Sequence, residues 1–414
     1  MTSEVAVMNQ RGIALAADSA VTLIEGGTVI VRNDQRKLYN LADGLPVGVM
    51  FFGIADIMGH PWEVLLDHFQ KKAKPRPMPH VGDYAAKFTA MLDNLEEFFP
   101  RARQKDDYRR LLASVFRFIL QFASFLRASN ERQGVTDAQI LRQAIDLVWH
   151  RYQFREDETP RGDLACFPPG FGAAVARDYA GVIDELIVYG FSNFNLDKQS
   201  EQRLRDIAVF CVVKDLFIED VTGLVFAGYG SEDRYPAVVT YNVSAVVGGY
   251  VKRAAVDETA IDGDMHSAIT LFADSEATYS FIRGIELDLE ARIYGTAHAM
   301  CLNLVDHVVN SFGNADPAER ESVRRQFQTQ HVPQYIRRLY ATISDYQQET
   351  YINPVLRALE IATKQDLAET AYGLVALNIF KKRIMAAQQT VGGAVDVAVI
   401  SRDGGFQWSK RQGA

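Results

Sequence analysis

The sequence predicts an α+β protein whose strands and helices are segregated along the chain, with antiparallel sheets rather than one alternating parallel sheet. Three observations predict it. Short apolar runs broken by polar turns fill the first sixty residues. Helical periodicity takes over from Ala55. Strand character then returns in two places, around Gly223–Val251 and Ala394–Ile400.

Each element follows from its pattern. Val5 and Val7 alternate with Ala6 and Met8, and a polar turn over Asn9–Gly12 leads into Ile13–Ala17, which stops at Asp18. This is a hairpin pattern. Thr28–Val31 is a further β-rich run. Val47–Phe52, closed by Gly53, is the continuous apolar run of a strand buried on both faces. Trp62, Val64, Leu65, Leu66 and Phe69 fit a helix face. After the proline-rich break Lys74–Pro79, a second helix is expected over Val81–Phe99. Leu111, Val115, Phe118, Ile119, Phe122, Phe125 and Leu126 form a broad apolar stripe on a long helical tract. Ile140–Tyr152 and Ala173–Ile187 read as helices on either side of a charged, Pro- and Gly-containing loop, Arg155–Gly170. Gly223–Tyr229, Ala237–Val243 and Ala245–Val251 read as an antiparallel meander, with Gly230–Pro236 as a polar turn. Helix is expected again over Ser275–Leu359, broken near Asn314–Pro317, and over Asp366–Met385. The chain closes on the strand Ala394–Ile400 and a turn at Ser401–Gly405. No short-period repeat or low-complexity linker interrupts it.

The 414 residues carry 48% hydrophobic, 23% charged and 11% aromatic residues, an ordinary globular composition with material for a sizeable core. The formal net charge is −8 and no Lys/Arg block stands out, which disfavours a nucleic-acid partner. The three cysteines, Cys166, Cys211 and Cys301, are far apart and lack metal or disulfide spacing. They fit a reducing, cytoplasmic setting. The first residues, Met1-Thr2-Ser3-Glu4, lack the features of a signal peptide. No run of about 18 uninterrupted apolar residues occurs, so neither a transmembrane helix nor a membrane partner is expected. Asp257, Glu258, Asp262, Asp264 and His266 crowd one stretch without EF-hand spacing and read as a solvated turn rather than a metal loop. Gly248-Gly249 belongs to no phosphate-binding motif.

Four residues carry candidate chemistry. Thr2, once Met1 is removed, has a hydroxyl and a free α-amine on one residue, and the amine can act as base for its own hydroxyl. Asp18 ends the second strand, beside the start of the first. A turn aspartate is its plainer reading. Lys37, if partly buried near that amine, lowers the amine's pKa by like-charge repulsion, with Asp18 offsetting the burial of the cation. An exposed strand charge is the plainer reading of Lys37. Gly53, after a buried strand, relieves crowding or presents an unobstructed N–H to a developing oxyanion.

Together these residues resemble a family. Thr2-Ser3-Glu4-Val5-Ala6-Val7 and Gly12-Ile13-Ala14-Leu15-Ala16-Ala17-Asp18-Ser19 resemble the opening of proteasome β-type subunits. Arg36-Lys37-Leu38-Tyr39-Asn40 and Phe52-Gly53-Ile54-Ala55-Asp56 are similar to the next two family blocks. The single-residue leader and Arg36–Asn40 are most similar to the bacterial heat-shock-locus V protease subunit. Gly223–Tyr229 and Val391–Ile400 resemble a later strand and the closing Gly-Gly strand. The resemblance implies the four-layer αββα sandwich of N-terminal-nucleophile (Ntn) hydrolases. It also implies the roles: Thr2 nucleophile and base, Lys37 and Asp18 tuning the amine, Gly53 oxyanion donor, with no metal or organic cofactor. The chain departs from the family before the closing Gly-Gly. Gln388 and Val391 stand where an aspartate and a serine are frequent, with Thr390 nearby. Ser275 is the candidate for the family's other serine.

The expected organisation is a first part of the Ntn core (2–99), a helical insertion (100–220), core strands (221–285), a second insertion (286–364) and a closing helix and strand (365–410). The leading expectation is a threonine-type, proteasome-like peptidase acting on a peptide or other amide substrate. A proteasome-like structural or interaction subunit without turnover and a small-molecule amidase are the alternatives. A homo-oligomer is expected, together with an ATPase or regulatory partner.

Overall fold

The computed structural model describes residues 2–25, 28–32, 35–93, 95–129, 135–218, 220–312, 316–385 and 391–411. They are mixed α and β and are built on antiparallel sheets. The chain divides into two compact units, Met1–Arg36 with Ile261–Val399 and Trp408–Ala414, and Lys37–Ala260 with Ile400–Gln407.

The first unit opens on the expected hairpin, β1 (Ser3–Asn9) and β2 (Gly12–Asp18), both buried along their whole length. Asn9 anchors the turn. Its Oδ1 accepts the Arg11 N–H at 2.8 Å, while its Nδ2 donates to the carbonyls of Leu359 and Ala362 at 2.7 and 3.0 Å. A two-stranded ribbon, β3 (Val21–Glu25) and β4 (Thr28–Arg32), follows. The sequence pattern marks only its second strand, over Thr28–Val31.

The second unit contains β5 (Leu38–Asn40), β6 (Val47–Gly53), the short pair β7 (Asp56–Ile57) and β8 (His60–Pro61), and helices α1 (Trp62–Ala73) and α2 (Val81–Met91). α2 stops at Met91 instead of running on to Phe99. Two residues later the Asp93 carboxylate accepts the Val251 N–H at 3.0 Å and pairs with the Arg253 guanidinium at 2.7 Å. Those bonds hold the chain off the helical path. Then come α3 (Arg101–Ser129), α4 (Asp137–Gln153), α5 (Phe171–Asp178), α6 (Ala180–Phe191) and α7 (Lys198–Val213). The helix expected over Ala173–Ile187 is thus broken at Tyr179. The Tyr179 hydroxyl accepts the Gly248 N–H at 3.1 Å and its ring packs 4.6 Å from that of Tyr108.

The unit's sheet runs in the order β11-β10-β9-β6-β5, with β9 (Thr222–Gly228), β10 (Ala237–Val247) and β11 (Tyr250–Ala260). β10 does not end at Val243 as expected. It continues to Val247 through a bulge, and the turn falls at Gly248-Gly249, both at positive φ. α3 satisfies the irregular backbone there. Asp107 accepts the Val246 N–H at 2.7 Å and Gln104 the Gly249 N–H at 2.8 Å. Asp257 and Glu258 lie on β11, not in a turn. Asp262 does form a turn, accepting the N–H groups of Asp264 and Met265 at 2.7 Å. Among the described residues no group of three or more His, Cys, Asp or Glu is placed to hold a metal ion.

α3 is long and apolar enough to cross a membrane by length and composition. Its stripe of Tyr108, Leu111, Leu112, Val115, Phe116 and Ile119 is buried in a core shared with α4, α6 and α7. Phe125, further along, is 64% exposed.

The chain then returns to the first unit with β12 (Ser267–Ala273), α8 (Glu276–Arg283), α9 (Leu287–Ser311), α10 (Pro317–Gln326), α11 (Val332–Gln347), α12 (Asn353–Ile361) and α13 (Lys364–Met385). It closes on β13 (Val395–Ser401) and β14 (Gly405–Lys410). The sheet order is β12-β1-β2-β13-β14. Val5 and Val7 of β1 and Ala14 and Ala16 of β2 share a core with Leu367, Ala371, Leu374 and Val375 of α13. Each large side chain buried there stabilises the unit by about 1.5–3 kcal/mol.

Candidate active site

In the hairpin register Glu4 faces Ala17, so the next pair outward is Ser3 with Asp18. Asp18 is 1% exposed and bridges two distant segments. Its Oδ1 accepts the Ser3 N–H at 3.0 Å and its Oδ2 accepts the Gly392 N–H at 3.0 Å. On the other side of β1 the ladder with β12 runs to Ser3 opposite Ala273, and the Asp274 N–H extends it by donating to the Thr2 carbonyl at 2.8 Å. Thr2 itself is 7% exposed. The main chain around Thr2 is therefore fixed by bonds on both edges of β1.

Two further residues reach this end of the hairpin, and the sequence pattern alone did not single them out. Asn378, inside α13 and fully buried, donates from Nδ2 to Ser3 Oγ at 3.0 Å and to the Asp274 carbonyl. Lys382 places its ammonium 3.0 Å from the Asp274 carboxylate. Burial lowers the Lys382 pKa, but bonding to Asp274 and Glu276 outweighs it and the net shift is upward. The neighbouring Glu276 carboxyl is held below its ordinary value, chiefly by its bond to Lys381. A signal for these residues was present in the sequence. The core-facing stripe Ala371, Leu374, Val375 continues, at helical spacing, through Asn378 and Lys382. Ser275 precedes α8, and its carbonyl accepts the Tyr279 N–H at 2.7 Å.

Lys37 and Gly53 belong to the second unit. Lys37 is 5% exposed and sits just before β5, where its carbonyl accepts the Phe51 N–H at 3.1 Å. Gly53 ends the partner strand β6, so both lie at the same end of that pair. Gly53 has φ +87°, and a Cβ there would stand 2.2 Å from the Val221 carbonyl oxygen. Glycine is thus required sterically at this position, whatever its N–H does. The structure brings Thr2 together with Asp18 in one unit, and Lys37 together with Gly53 in the other.

Of the residues that depart from the family pattern, Val391 is fully buried in the core beneath β1 and β2, where it packs as an apolar side chain. Gln388 and Thr390 lie outside the described residues.

No protein-family model and no curated protein sequence matches the chain. Among solved structures it is similar to a mutant of Anbu from Hyphomicrobium sp. strain MC1, with TM-score 0.30, 8% identity, and 99% of this chain and 85% of the other covered. It is also similar to Anbu from the same strain, with TM-score 0.28, 8% identity and the same coverage. At these scores neither likeness carries an argument about fold or activity.

Proposed function

We propose that this chain is a threonine-type Ntn hydrolase that cleaves peptide or other amide bonds after removal of Met1. The observation that supports it most is the fixed main chain at Thr2, with Asp18 bonded to Ser3 on one edge of β1 and Asp274 bonded to Thr2 on the other. A frayed terminal residue cannot hold a hydroxyl against a substrate carbonyl. A residue locked into a sheet can.

In the proposed reaction Thr2 Oγ1 attacks the amide carbon while its proton passes to the Thr2 α-amine. The carbonyl oxygen gains the charge, and the Gly53 N–H is its proposed donor. The C–N bond then breaks and the leaving amine takes the proton, leaving an ester on Thr2. Water, deprotonated by the same amine, releases the acid and restores Thr2. Lys37 is proposed to keep that amine neutral at working pH by charge repulsion. The αββα sandwich and a homo-oligomer are parts of the same proposal. A monomer in light scattering coupled to size exclusion at about micromolar concentration would remove the oligomer.

The test is intact-mass and N-terminal analysis after exposure to a peptide epoxyketone, which needs a hydroxyl and an amine on one residue. The expected result is loss of Met1, one adduct on the wild-type chain and none on Thr2→Ala. A chain that keeps Met1, or equal labelling of Thr2→Ala, overturns the reading. A chain with a free Thr2 that takes no adduct favours a structural subunit instead.

A further inference from the structure

Asp274 is held by α13 at two points and touches Thr2 at a third. Its carbonyl accepts from Asn378 Nδ2, its carboxylate pairs with Lys382 at 3.0 Å, and its N–H donates to the Thr2 carbonyl at 2.8 Å. Asn378 and Lys382 are four residues apart, so they project from the same helix face. Asn378 is fully satisfied in a buried setting. Its Oδ1 accepts the Ala277 N–H at 3.2 Å and its Nδ2 also reaches Ser3 Oγ. One side chain therefore joins the start of β1 to the first turn of α8.

The backbone leading into Asp274 is itself unusual. Ala273 sits at φ +56°, a conformation that residues with a Cβ adopt rarely. The surrounding contacts must over-determine such a residue for it to persist. Here the left-handed step ends β12 and lets the next N–H continue the ladder to Thr2. The two contacts from α13 fix the residue that follows.

We infer that Asn378 and Lys382 are positioning residues for the nucleophile: through Asp274 they hold the Thr2 main chain where its hydroxyl and amine can act. Neither contacts the reacting atoms in this role. The inference rests on the hydrolase reading above and assigns that site a control element in α13.

Two measurements on Asn378→Ala, Lys382→Met and Lys382→Arg test it. The first is amide hydrogen exchange at Asp274, which needs no activity. Exchange is expected to rise about 10-fold or more in Asn378→Ala and Lys382→Met and to stay near wild type in Lys382→Arg. The second is epoxyketone inactivation. The maximal rate is expected to fall about 10-fold or more in the same two variants, with the half-saturating concentration unchanged, and Lys382→Arg restores it. Unchanged exchange at Asp274 overturns the clamp. Raised exchange with an unchanged maximal rate overturns the positioning role. If Asn378→Ala fails to fold, the Lys382 pair decides, since Lys382→Arg keeps the charge opposite Asp274 that Lys382→Met removes. A wild-type chain that is never labelled at Thr2 refutes the hydrolase reading and with it any catalytic role for the clamp, while the exchange result still decides the clamp itself.

Discussion

Replacing Asp18 with asparagine isolates what its carboxylate does at the head of the hairpin. The side chain is 1% exposed, and each oxygen accepts one backbone N–H, from Ser3 and from Gly392, both at 3.0 Å. Asparagine keeps the shape but turns one acceptor into a donor, so one buried N–H must face another. A buried donor left without an acceptor costs about 1–3 kcal/mol. Taking about 2 kcal/mol, the equilibrium for local opening rises roughly 30-fold, at 1.4 kcal/mol per tenfold. Amide exchange at Ser3 and Gly392, followed by NMR, reads this directly, and amides of α1 in the other unit serve as the internal control. Faster exchange at one or both of Ser3 and Gly392 with α1 unchanged is the expected result. A change under about threefold at both, or a uniform increase over the whole chain, refutes the reasoning. The first would mean the carboxylate is not what holds these amides, and the second would mean that the fold as a whole has been weakened.

Three other outcomes are expected. Lys37→Ala slows epoxyketone labelling by about 10²-fold, and a near-wild-type rate removes the lysine from the mechanism. The bond to Asp233 at 2.6 Å raises the His80 pKa, so its contribution to stability is fully present below about pH 6.5 and fades as pH rises through the higher folded value. His80→Asn should therefore lower the melting temperature at about pH 5.5 and not at about pH 9, and an equal loss at both contradicts the ion pair. Burial pushes the Lys252 ammonium down to about 8, although its Nζ donates to the carbonyls of Cys211 and Leu216 at 2.9 and 2.6 Å. The folded chain then releases a proton that the unfolded chain keeps to about 10.4, so stability gains about 2 kcal/mol between pH 8 and 10. Urea titrations should show that gain reduced in Lys252→Met, and equal pH slopes in the two proteins exclude it.

The hairpin was legible because its alternation, polar turn and terminal aspartate are all local. Once β1 and β2 are paired, the meeting of Ser3 with Asp18 is arithmetic. The second bond to Asp18 was not legible, since Gly392 is 374 residues away in sequence. Elements were missed where the local signal is thin. β14 has few apolar residues, α7 carries its buried residues mostly in its second half, and β12 is only partly buried at its centre. Ser244 read as a strand break because a polar side chain interrupts an apolar run. In the fold its hydroxyl donates to the Asp220 carbonyl at 3.1 Å, and the strand continues. Asn378 and Lys382 were passed over for a related reason. On a helix that reads as closing core, two polar residues stand on the buried face, and that conflict between pattern and chemistry was the clue.

The bond between Asp18 and Gly392 also orders events during synthesis. The partner of β1 on one edge starts at Ser267, and the second amide on Asp18 comes 374 residues after Asp18 itself. At about 5–20 residues per second, the chain spends roughly 20–75 s emerging before that second bond forms. Until Ser267–Asp274 emerges, the Thr2 segment lacks its outer strand partner and its Asp274 bond, and until Lys364–Met385 emerges it lacks the helix that packs on β1 and β2. An aminopeptidase working on nascent chains would therefore meet an open terminus before the proposed nucleophile is assembled. Late closure would thus keep a hydrolase from acting while it is still attached to the ribosome.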